Sequence, residues 1–243
     1  MSIKFKKNLL LNFSKKYKIF YKPYLYYNLY VRNLKYLFQK SYSQFEEDTF
    51  IKKFFSKKKG FYIDIGCNQP FINNNTFLLY KSGWSGINID LSKINIDLFD
   101  ITRPRDKNIC EIISNKNRKV EYYIPNNNPL STEITVKRNF AKILQKKHKN
   151  IYQKKTRNSM KWSSIKKKYN LNINKVDFLK IDVEGADFDV LKEMNISKLK
   201  PRLIMIEAPV FEKKSIKRIN LYMSLKSYKA IYKNQVNIIF KRI

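Results

Sequence analysis

The chain has 243 residues, of which 43% are hydrophobic and 15% aromatic, enough apolar material for one globular domain rather than a disordered chain. Its two cysteines and single histidine exclude a disulfide scaffold and a zinc site built from Cys and His. Its 51 Lys and Arg residues outnumber its 19 Asp and Glu residues, which gives a formal net charge of +32.

The charge excess has two interpretations, and both stay open on the sequence. It indicates a polyanionic partner, such as nucleic acid, an anionic membrane or an acidic glycan. It also fits a compositional bias, because the abundant Lys, Asn, Ile, Tyr and Phe are encoded by AT-rich codons. No uncharged apolar run reaches about 18 residues, so no membrane-spanning helix is predicted. Cys67 and Cys110 have the setting of small buried apolar residues in a reducing cytosol, and we expect a cytoplasmic protein, with peripheral membrane contact as a variant.

Residues 1–40 form a basic aromatic segment ahead of the domain expected at 41–243. Its apolar residues recur at roughly helical spacing: Leu9, Leu10, Phe13, Tyr17 and Phe20. This pattern fits a basic amphipathic helix on a membrane surface. It also fits an ordinary helix packed on the domain, or a mobile tail, and this non-membrane interpretation is favoured. Pro23 is expected to break the segment.

The domain then alternates helices and strands. Ser43 to Glu46 has the form of a capping box that opens a helix, and Phe61 to Ile65 is a short buried strand between Gly60 and Gly66. Further strands are predicted at Gly86–Asp90, Ile109–Ser114, Val176–Asp182 and Leu203–Ile206, and helices at Thr76–Lys81, Ser92–Phe99, Trp162–Tyr169, Asp187–Met194 and Lys217–Lys226. Such alternation predicts an α/β fold with a mostly parallel sheet and right-handed crossovers.

Two regions depart from this alternation. Val120–Ile124 predicts an added strand, and residues 126–160 a basic insertion with a helix near Phe140–Lys147. The lone His148 lies in this insertion and is interpreted as a surface residue. Near the C-terminus, Ala230–Tyr232 and Asn237–Phe240 predict a pair of short strands that forms an edge hairpin or an antiparallel insertion.

Four acidic residues stand at the ends of predicted strands: Asp64, Asp90, Asp182 and Glu207. In a parallel sheet these ends share one edge, where open α/β folds bind ligands. Asp90 lies 26 residues after Asp64, the position from which an acid binds the ribose of an adenosine. The loop directly after Gly66 lacks the second and third glycines of a Gly-x-Gly-x-x-Gly motif, so a backbone cradle for a pyrophosphate is excluded. An adenosine cofactor without phosphates, such as S-adenosyl-L-methionine, fits this pattern.

The chain resembles the FkbM-type methyltransferases, a branch of the S-adenosylmethionine-dependent enzymes with a Rossmann-like class I fold. The matching motifs occur in the family's order over about 41–243: Ser43 to Asp48, Phe61 to Asn68 with Pro70, Asn75-Thr76, Gly83 to Asp90, Arg103 to Asp106 and Asp177 to Gly185. Glu46 stands where the family more often has glycine. The resemblance implies a mostly parallel sheet with helices on both faces and an antiparallel strand near the C-terminus.

The resemblance also implies residue roles. Asp64, Gly66, Cys67 and Asn68 would bind the methionine side of S-adenosyl-L-methionine, Asp90 its ribose, and Ser114 and Asn115 its adenine. Asn115 lacks the acid often found at that place. Asp182 and Glu184 would face the methyl donor and the acceptor, with Asp182 the first and Glu184 the second candidate for a general base. The pair could also bind a divalent ion, but no third ligand is evident in the sequence, so no metal is predicted and metal dependence stays open.

The implied function is O-methylation of a hydroxyl on a sugar, glycan or related small molecule, with the insertion at 137–161 shaping the mouth for an acidic substrate. One alternative is an RNA or protein methyltransferase that holds its polymer on the basic surface. A second is a non-catalytic basic module, binding nucleic acid or a membrane, on a methyltransferase scaffold. The intact strand-end acids argue against the second alternative. The acceptor and the oligomeric state stay open.

Overall fold

The computed structural model describes residues 10–11, 13–14, 16–56, 59–126, 134–149, 151–208 and 213–243. Their strands are β1 (Phe61–Ile65), β2 (Ser85–Asp90), β3 (Lys107–Cys110), β4 (Ile112–Ile113), β5 (Arg118–Pro125), β6 (Tyr152–Met160), β7 (Phe178–Ile181), β8 (Leu203–Glu207), β9 (Tyr228–Lys233) and β10 (Asn237–Arg242). Their α-helices are α1 (Tyr21–Tyr26), α2 (Glu47–Phe55), α3 (Phe77–Lys81), α4 (Lys93–Thr102), α5 (Arg138–His148), α6 (Trp162–Lys168), α7 (Asp187–Glu193), α8 (Ile196–Leu199) and α9 (Lys213–Leu225).

Seven strands form the main sheet in the order β3-β2-β1-β7-β8-β10-β9. The first five in this order pair in parallel, and β10 is antiparallel to both β8 and β9. The order reverses between β1 and β7, which is the switch point where such sheets bind ligands. The predicted mostly parallel α/β sheet with an antiparallel C-terminal hairpin is therefore confirmed.

Alternate side chains of β1 enter two different apolar cores, as expected of a strand buried on both faces. Tyr62 packs with Ile51 of α2 and Leu79 of α3 on one face. Ile63 belongs to the core of the other face, together with Ile165 of α6, Val190 of α7 and Ile219 of α9. Helices of the described chain therefore cover both faces of β1, which leaves its carboxyl end accessible for a site.

Two local predictions were wrong. The third strand ends at Cys110, opposite Asp90, and not at Ser114. Beyond Glu111 the chain leaves the main sheet, and Ile112–Ile113 pairs with β6 in a separate sheet of order β4-β6-β5.

The predicted capping box at Ser43–Glu46 does not form. The helix begins one residue after Glu46, whose φ is 62° and whose side chain makes no capping hydrogen bond. Asp48 organises the loop instead, since its carboxylate accepts from the Ser43 hydroxyl at 2.9 Å and from the Tyr42 amide at 2.7 Å.

The insertion contains more order than its sequence indicated. The predicted strand near 120–124 and helix near 140–147 are present as β5 and α5. The long strand β6, which pairs antiparallel with β5, was missed because its exposed face is polar throughout. Residues 127–133 and 150, and the side chain of His148, lie outside the described part.

The basic aromatic segment folds into short helical turns between Lys18 and Phe38. Pro23 lies inside the first turn of α1 and does not end the helix. A proline is tolerated there because backbone N–H groups of the first turn have no partner within the helix. Leu9 lies outside the described residues. No helix among the described residues is both long and apolar enough to cross a membrane.

Candidate functional site

The carboxyl ends of β2, β7 and β8 bring three acidic residues to one edge of the sheet. Asp90 is the last residue of β2, Asp182 follows β7 directly, and Glu207 is the last residue of β8. The strands β2, β1, β7 and β8 are consecutive and parallel in the sheet, so these ends lie along one edge, around the switch point between β1 and β7. The strand-end rule therefore located the acidic edge from sequence.

The turn after β1 is too tight for any residue but glycine. Gly66 has a φ of +74°, and a Cβ there would stand 1.7 Å from the Asp182 carbonyl oxygen. Its amide donates to the Ile89 carbonyl of β2 at 2.8 Å. Gly66 thus lets the ends of β1 and β7 meet behind the site.

Asp90 is held by backbone amides. Its carboxylate accepts from the Asn68 amide at 2.9 Å and from the Ser92 amide at 2.7 Å. Burial raises the pKa of Asp90, and these two donors work against that rise. The side chain is therefore fixed in place, and Asp90 lines the first of the cavities described below.

Asp64 and Cys67 lie beneath the site and do not line its cavities. Asp64 is the penultimate residue of β1, fully buried between Asn88 of β2 and Lys180 of β7. Its carboxylate accepts from the Thr76 hydroxyl at 2.7 Å. The Cys67 thiol is also buried, which raises its pKa. The geometry gives Asp64 a supporting position, whereas Gly66 and Asn68 reach the cavity.

Lys180, which the sequence analysis did not select, links the buried and the exposed acids. Its side chain is 2% exposed, and its Nζ lies 3.4 Å from Asp64 Oδ1 and 3.2 Å from Asp182 Oδ2. It also donates to the Gly66 carbonyl at 2.8 Å. Burial works against its charged form, but the two carboxylates outweigh it and raise the pKa of Lys180. A lysine within an otherwise apolar central strand is a signal for such a pair.

Three carboxyl groups converge beside Lys180. Ligand atoms of Asp182, Glu184 and Glu207 all lie within 4.8 Å of one another. The sequence analysis placed Glu207 at this edge of the sheet, but it did not recognise it as a third acid beside Asp182 and Glu184. Burial and the nearby carboxylates of Asp182 and Glu184 raise the pKa of Glu207 well above its usual range. The group can accept a proton, and it can bind a cationic part of a ligand or a divalent ion. The cluster by itself assigns no metal.

The turn that carries Glu184 has an unusual backbone. Glu184 has a φ of 54° and Gly185 one of +90°. The Asp187 carboxylate accepts from the amides of Val183 and Gly185 at 2.8 and 3.0 Å, which holds the turn. Burial and the charge of Asp182 raise the pKa of Asp187 to about 7. The turn is thereby pre-shaped to present Asp182 and Glu184.

Two cavities meet at these acids. Both are lined by Asn68, Asp182 and Glu184. The first extends past Asp90 toward the end of β3 and is largely apolar, with walls from Ile65, Ile89, Leu91, Ile112, Ile113, Ile134, Val136 and Val190. The second is polar and is lined by amides and acids, among them Gln44, Asn73, Asn75, Glu207 and Asn237. A ligand in either cavity would therefore contact Asp182 and Glu184.

Ser114 and Asn115 do not line the cavity that contains Asp90. They were chosen because they follow the predicted third strand, and that strand ends four residues earlier than predicted. Glu111 and Ile112 line this end of the cavity instead. Ser114 and Asn115 line a neighbouring basic cleft of about 480 Å³ that also contains Arg118.

The insertion covers the site. Phe140 of α5 is buried against Gly185, where a Cβ would stand 2.9 Å from its ring. The Thr135 hydroxyl donates to the Glu184 carbonyl at 2.6 Å. Ile134 and Val136 complete the wall of the first cavity. The insertion therefore covers the turn that carries Glu184 and forms part of the wall of the first cavity.

Sheet order, switch-point acids and the absence of a glycine-rich phosphate loop define a Rossmann-like fold of the methyltransferase class. The sequence model of the methyltransferase FkbM domain matches residues 64–230. The chain belongs to this FkbM methyltransferase family and is therefore an enzyme of methyl transfer.

Other comparisons add little detail. No curated protein matches the chain significantly. Among solved structures, the chain is similar to monomeric WbdD, with 10% sequence identity and a TM-score of 0.41 over 82% of this chain. The matched region spans 41% of that protein.

Proposed function

We propose that the protein transfers a methyl group from S-adenosyl-L-methionine to a hydroxyl of a sugar, a glycan or a related small molecule. The observation that carries the proposal is the junction of the two cavities at Asp182, Glu184 and Glu207. One cavity suits an adenosine cofactor, the other suits a polar acceptor, and carboxyl groups lie where the two would meet.

The residues of the first cavity fit this cofactor. Asp90 offers fixed carboxylate oxygens for the ribose hydroxyls, and the apolar walls suit the flat adenine ring. The acidic junction favours a positively charged sulfonium. The loop after Gly66 has none of the further glycines that a cradle of backbone amides for phosphates would need. When bound, S-adenosyl-L-methionine supplies a methyl group on a positively charged sulfur that leaves as a neutral thioether.

The chain's own residues orient the acceptor and remove its proton. The acceptor hydroxyl would lose its proton to a carboxylate of the junction as it takes up the methyl group that the bound cofactor would supply. Asp182 is the first candidate, since it is partly exposed and Lys180 at 3.2 Å offsets its charge. Glu184 is the second. Burial and the neighbouring carboxylates raise the pKa of Glu207, which favours its protonated form, and in that form it can donate a hydrogen bond to the acceptor.

The second cavity suits a ligand with several hydroxyl groups. The side chains of Gln44, Asn73, Asn75 and Asn237 each carry both a donor and an acceptor. Hydroxyl groups have the same dual character, so a sugar or polyol satisfies such a lining better than an apolar acceptor does. This pairing is why a sugar-like hydroxyl is the proposed acceptor.

Calorimetric titration with S-adenosyl-L-methionine tests the cofactor. We expect Asp90→Asn to weaken binding by about 10- to 100-fold, because a charge-assisted hydrogen bond contributes about 1.5–3 kcal/mol. Asp100→Asn, an exposed acid of α4, serves as the matched control and should bind as the unchanged protein does. Absence of binding at millimolar cofactor would remove the proposal.

Mass spectrometry tests the transfer. The protein is incubated with isotope-labelled methyl donor and a panel of monosaccharides, glycans, RNA and peptides, and products carrying the label are sequenced or fragmented. We expect the label on an oxygen of a sugar-like product, and Asp182→Asn should reduce its rate by about 100-fold or more. Label on RNA or protein alone would overturn the proposed acceptor while leaving the proposed cofactor intact.

A further inference from the structure

The segment between residues 10 and 38 concentrates the exposed apolar side chains of the described chain. Of the seventeen large apolar side chains that are exposed among the described residues, eleven belong to this segment. The most exposed are Phe38 at 82%, Ile19 at 79% and Val31 at 64%. Some of these side chains contact one another, since the Phe13 ring centroid lies 4.8 Å from that of Tyr17 and 5.5 Å from that of Phe20. Clusters of exposed apolar side chains are typical of an interaction surface, whereas single ones are common on any protein.

The segment is not a loose tail. Its other side is buried against the methyltransferase domain, where Leu25 and Leu29 pack in one cluster with Phe77 of α3 and Leu98 of α4. The Tyr21 hydroxyl donates to the Asp97 carboxylate of α4 at 2.8 Å. The segment is therefore anchored on the domain by its buried side chains, while its other apolar side chains remain exposed.

The charge of the segment is of one sign. Residues 10–38 contain six Lys and Arg residues and no Asp or Glu. Lys16, Lys18, Lys22 and Lys35 are exposed and alternate along the chain with exposed Tyr, Phe and Ile residues. Basic side chains that flank aromatic and aliphatic ones are the composition of a surface that enters the headgroup region of an anionic bilayer.

We propose that residues 10–38 form a peripheral binding surface for anionic phospholipid membranes. Charge complementarity selects a polyanion, and the exposed aliphatic residues distinguish between polyanions. Single-stranded nucleic acid binds to aromatic platforms by stacking, to which Ile19, Val31 and Leu34 contribute nothing. A bilayer interface instead accepts aliphatic and aromatic side chains alike.

The surface adjoins the candidate site. Phe71, which packs in the same apolar cluster as Leu29, belongs to the loop after β1. That loop also carries Asn68, Asn73 and Asn75 of the polar cavity. The lipid surface would thus hold the enzyme with an element of its acceptor cavity near the bilayer. The inference does not depend on the proposed reaction, because membrane binding is measured without cofactor or acceptor.

Vesicle co-sedimentation of the full chain tests the apolar part. The probes are phosphatidylcholine vesicles with and without 30 mol% phosphatidylglycerol, at ~150 mM salt. We expect the unchanged protein to bind to the anionic vesicles. A triple variant, in which Ile19, Val31 and Phe38 are changed to Ser, should bind at least about tenfold more weakly. Leu221→Ser with Leu225→Ser, which removes 63% and 74% exposed side chains of α9, should leave binding unchanged.

A second pair of variants tests the charge. Lys18→Gln with Lys22→Gln should weaken binding to anionic vesicles by about tenfold, and Lys52→Gln with Lys53→Gln on α2 should have less effect at the same net charge. Circular dichroism and a thermal melt of each variant establish that it is folded. The proposal is overturned if the anionic vesicles bind no protein or if both apolar variants lose binding equally. It is also overturned if the protein is a dimer in solution that the triple serine variant of residues 19, 31 and 38 dissociates, or if the protein binds single-stranded oligonucleotides but not vesicles.

Discussion

Replacing Lys180 by methionine should destabilise the protein strongly. Methionine keeps most of the side chain's volume but removes the ammonium that lies 3.4 Å from Asp64 and 3.2 Å from Asp182. Asp182 is partly exposed and can be solvated by water, whereas Asp64 is fully buried and its remaining contact is the Thr76 hydroxyl. Leaving a buried carboxylate without its cation costs about 3–5 kcal/mol of unfolding free energy.

Urea unfolding, followed by the fluorescence of the buried Trp84 and Trp162, measures this cost. The matched control is Lys175→Met. Lys175 also pairs with an aspartate, Asp177, at 3.3 Å, but its side chain is 73% exposed, so about 1 kcal/mol or less should be lost.

The cause is separated from simple loss of packing by a double variant. If the cost arises from the unpaired carboxylate, adding Asp64→Asn to Lys180→Met should recover more than about 1 kcal/mol. A Lys180→Met protein as stable as the unchanged one would refute the reasoning. A double variant no more stable than the single one would do so as well.

Two further predictions concern the turns of the site. Gly66→Ala should lower the free energy of unfolding by about 3 kcal/mol and abolish cofactor binding, because the added Cβ would stand 1.7 Å from the Asp182 carbonyl oxygen. Gly83→Ala is the control: its φ is also positive, at +88°, but the nearest atom to the added Cβ is 3.4 Å away, so urea unfolding should show a cost of about 1 kcal/mol and cofactor should bind normally. Asp187, whose pKa rises from 3.8 to about 7, binds more protons when folded than when unfolded between these values, so it makes stability fall as pH rises through this window. Asp187→Asn should flatten that part of the unfolding free energy plotted against pH, and an unchanged slope would contradict the assignment.

Much of the fold could be predicted from local patterns. The strands β1, β2, β7 and β8 are short apolar runs bounded by glycine or acid, and their order along the chain implied a parallel sheet. The acids at their ends were placed together by one rule of sheet geometry, without any knowledge of contacts.

The errors arise where contacts distant in sequence decide the outcome. The run Ile109–Ser114 is apolar enough for one strand, but pairing with Asp90 ends at Cys110 and pairing with β6 begins at Ile112. Asp64 looked like a strand-end acid although its neighbours on β2 and β7 enclose it. Lys180 pairs with Asp64 and with Asp182. A pattern of hydrophobicity along the sequence does not predict these side-chain contacts.

The distribution of charge separates the enzyme's two interactions. The chain carries +32 overall, yet the junction of its cavities is lined by carboxyl groups, with Lys180 as the buried cation beside them. A cationic methyl donor is attracted by such a junction, whereas a polyanionic polymer is repelled from it. The basic excess must therefore act elsewhere on the surface if it acts on a partner at all. The segment between residues 10 and 38 offers that place, because its lysines stand beside apolar side chains that water alone does not favour exposing. A compositional bias explains the lysines, but it does not explain why the exposed apolar residues gather in the same segment.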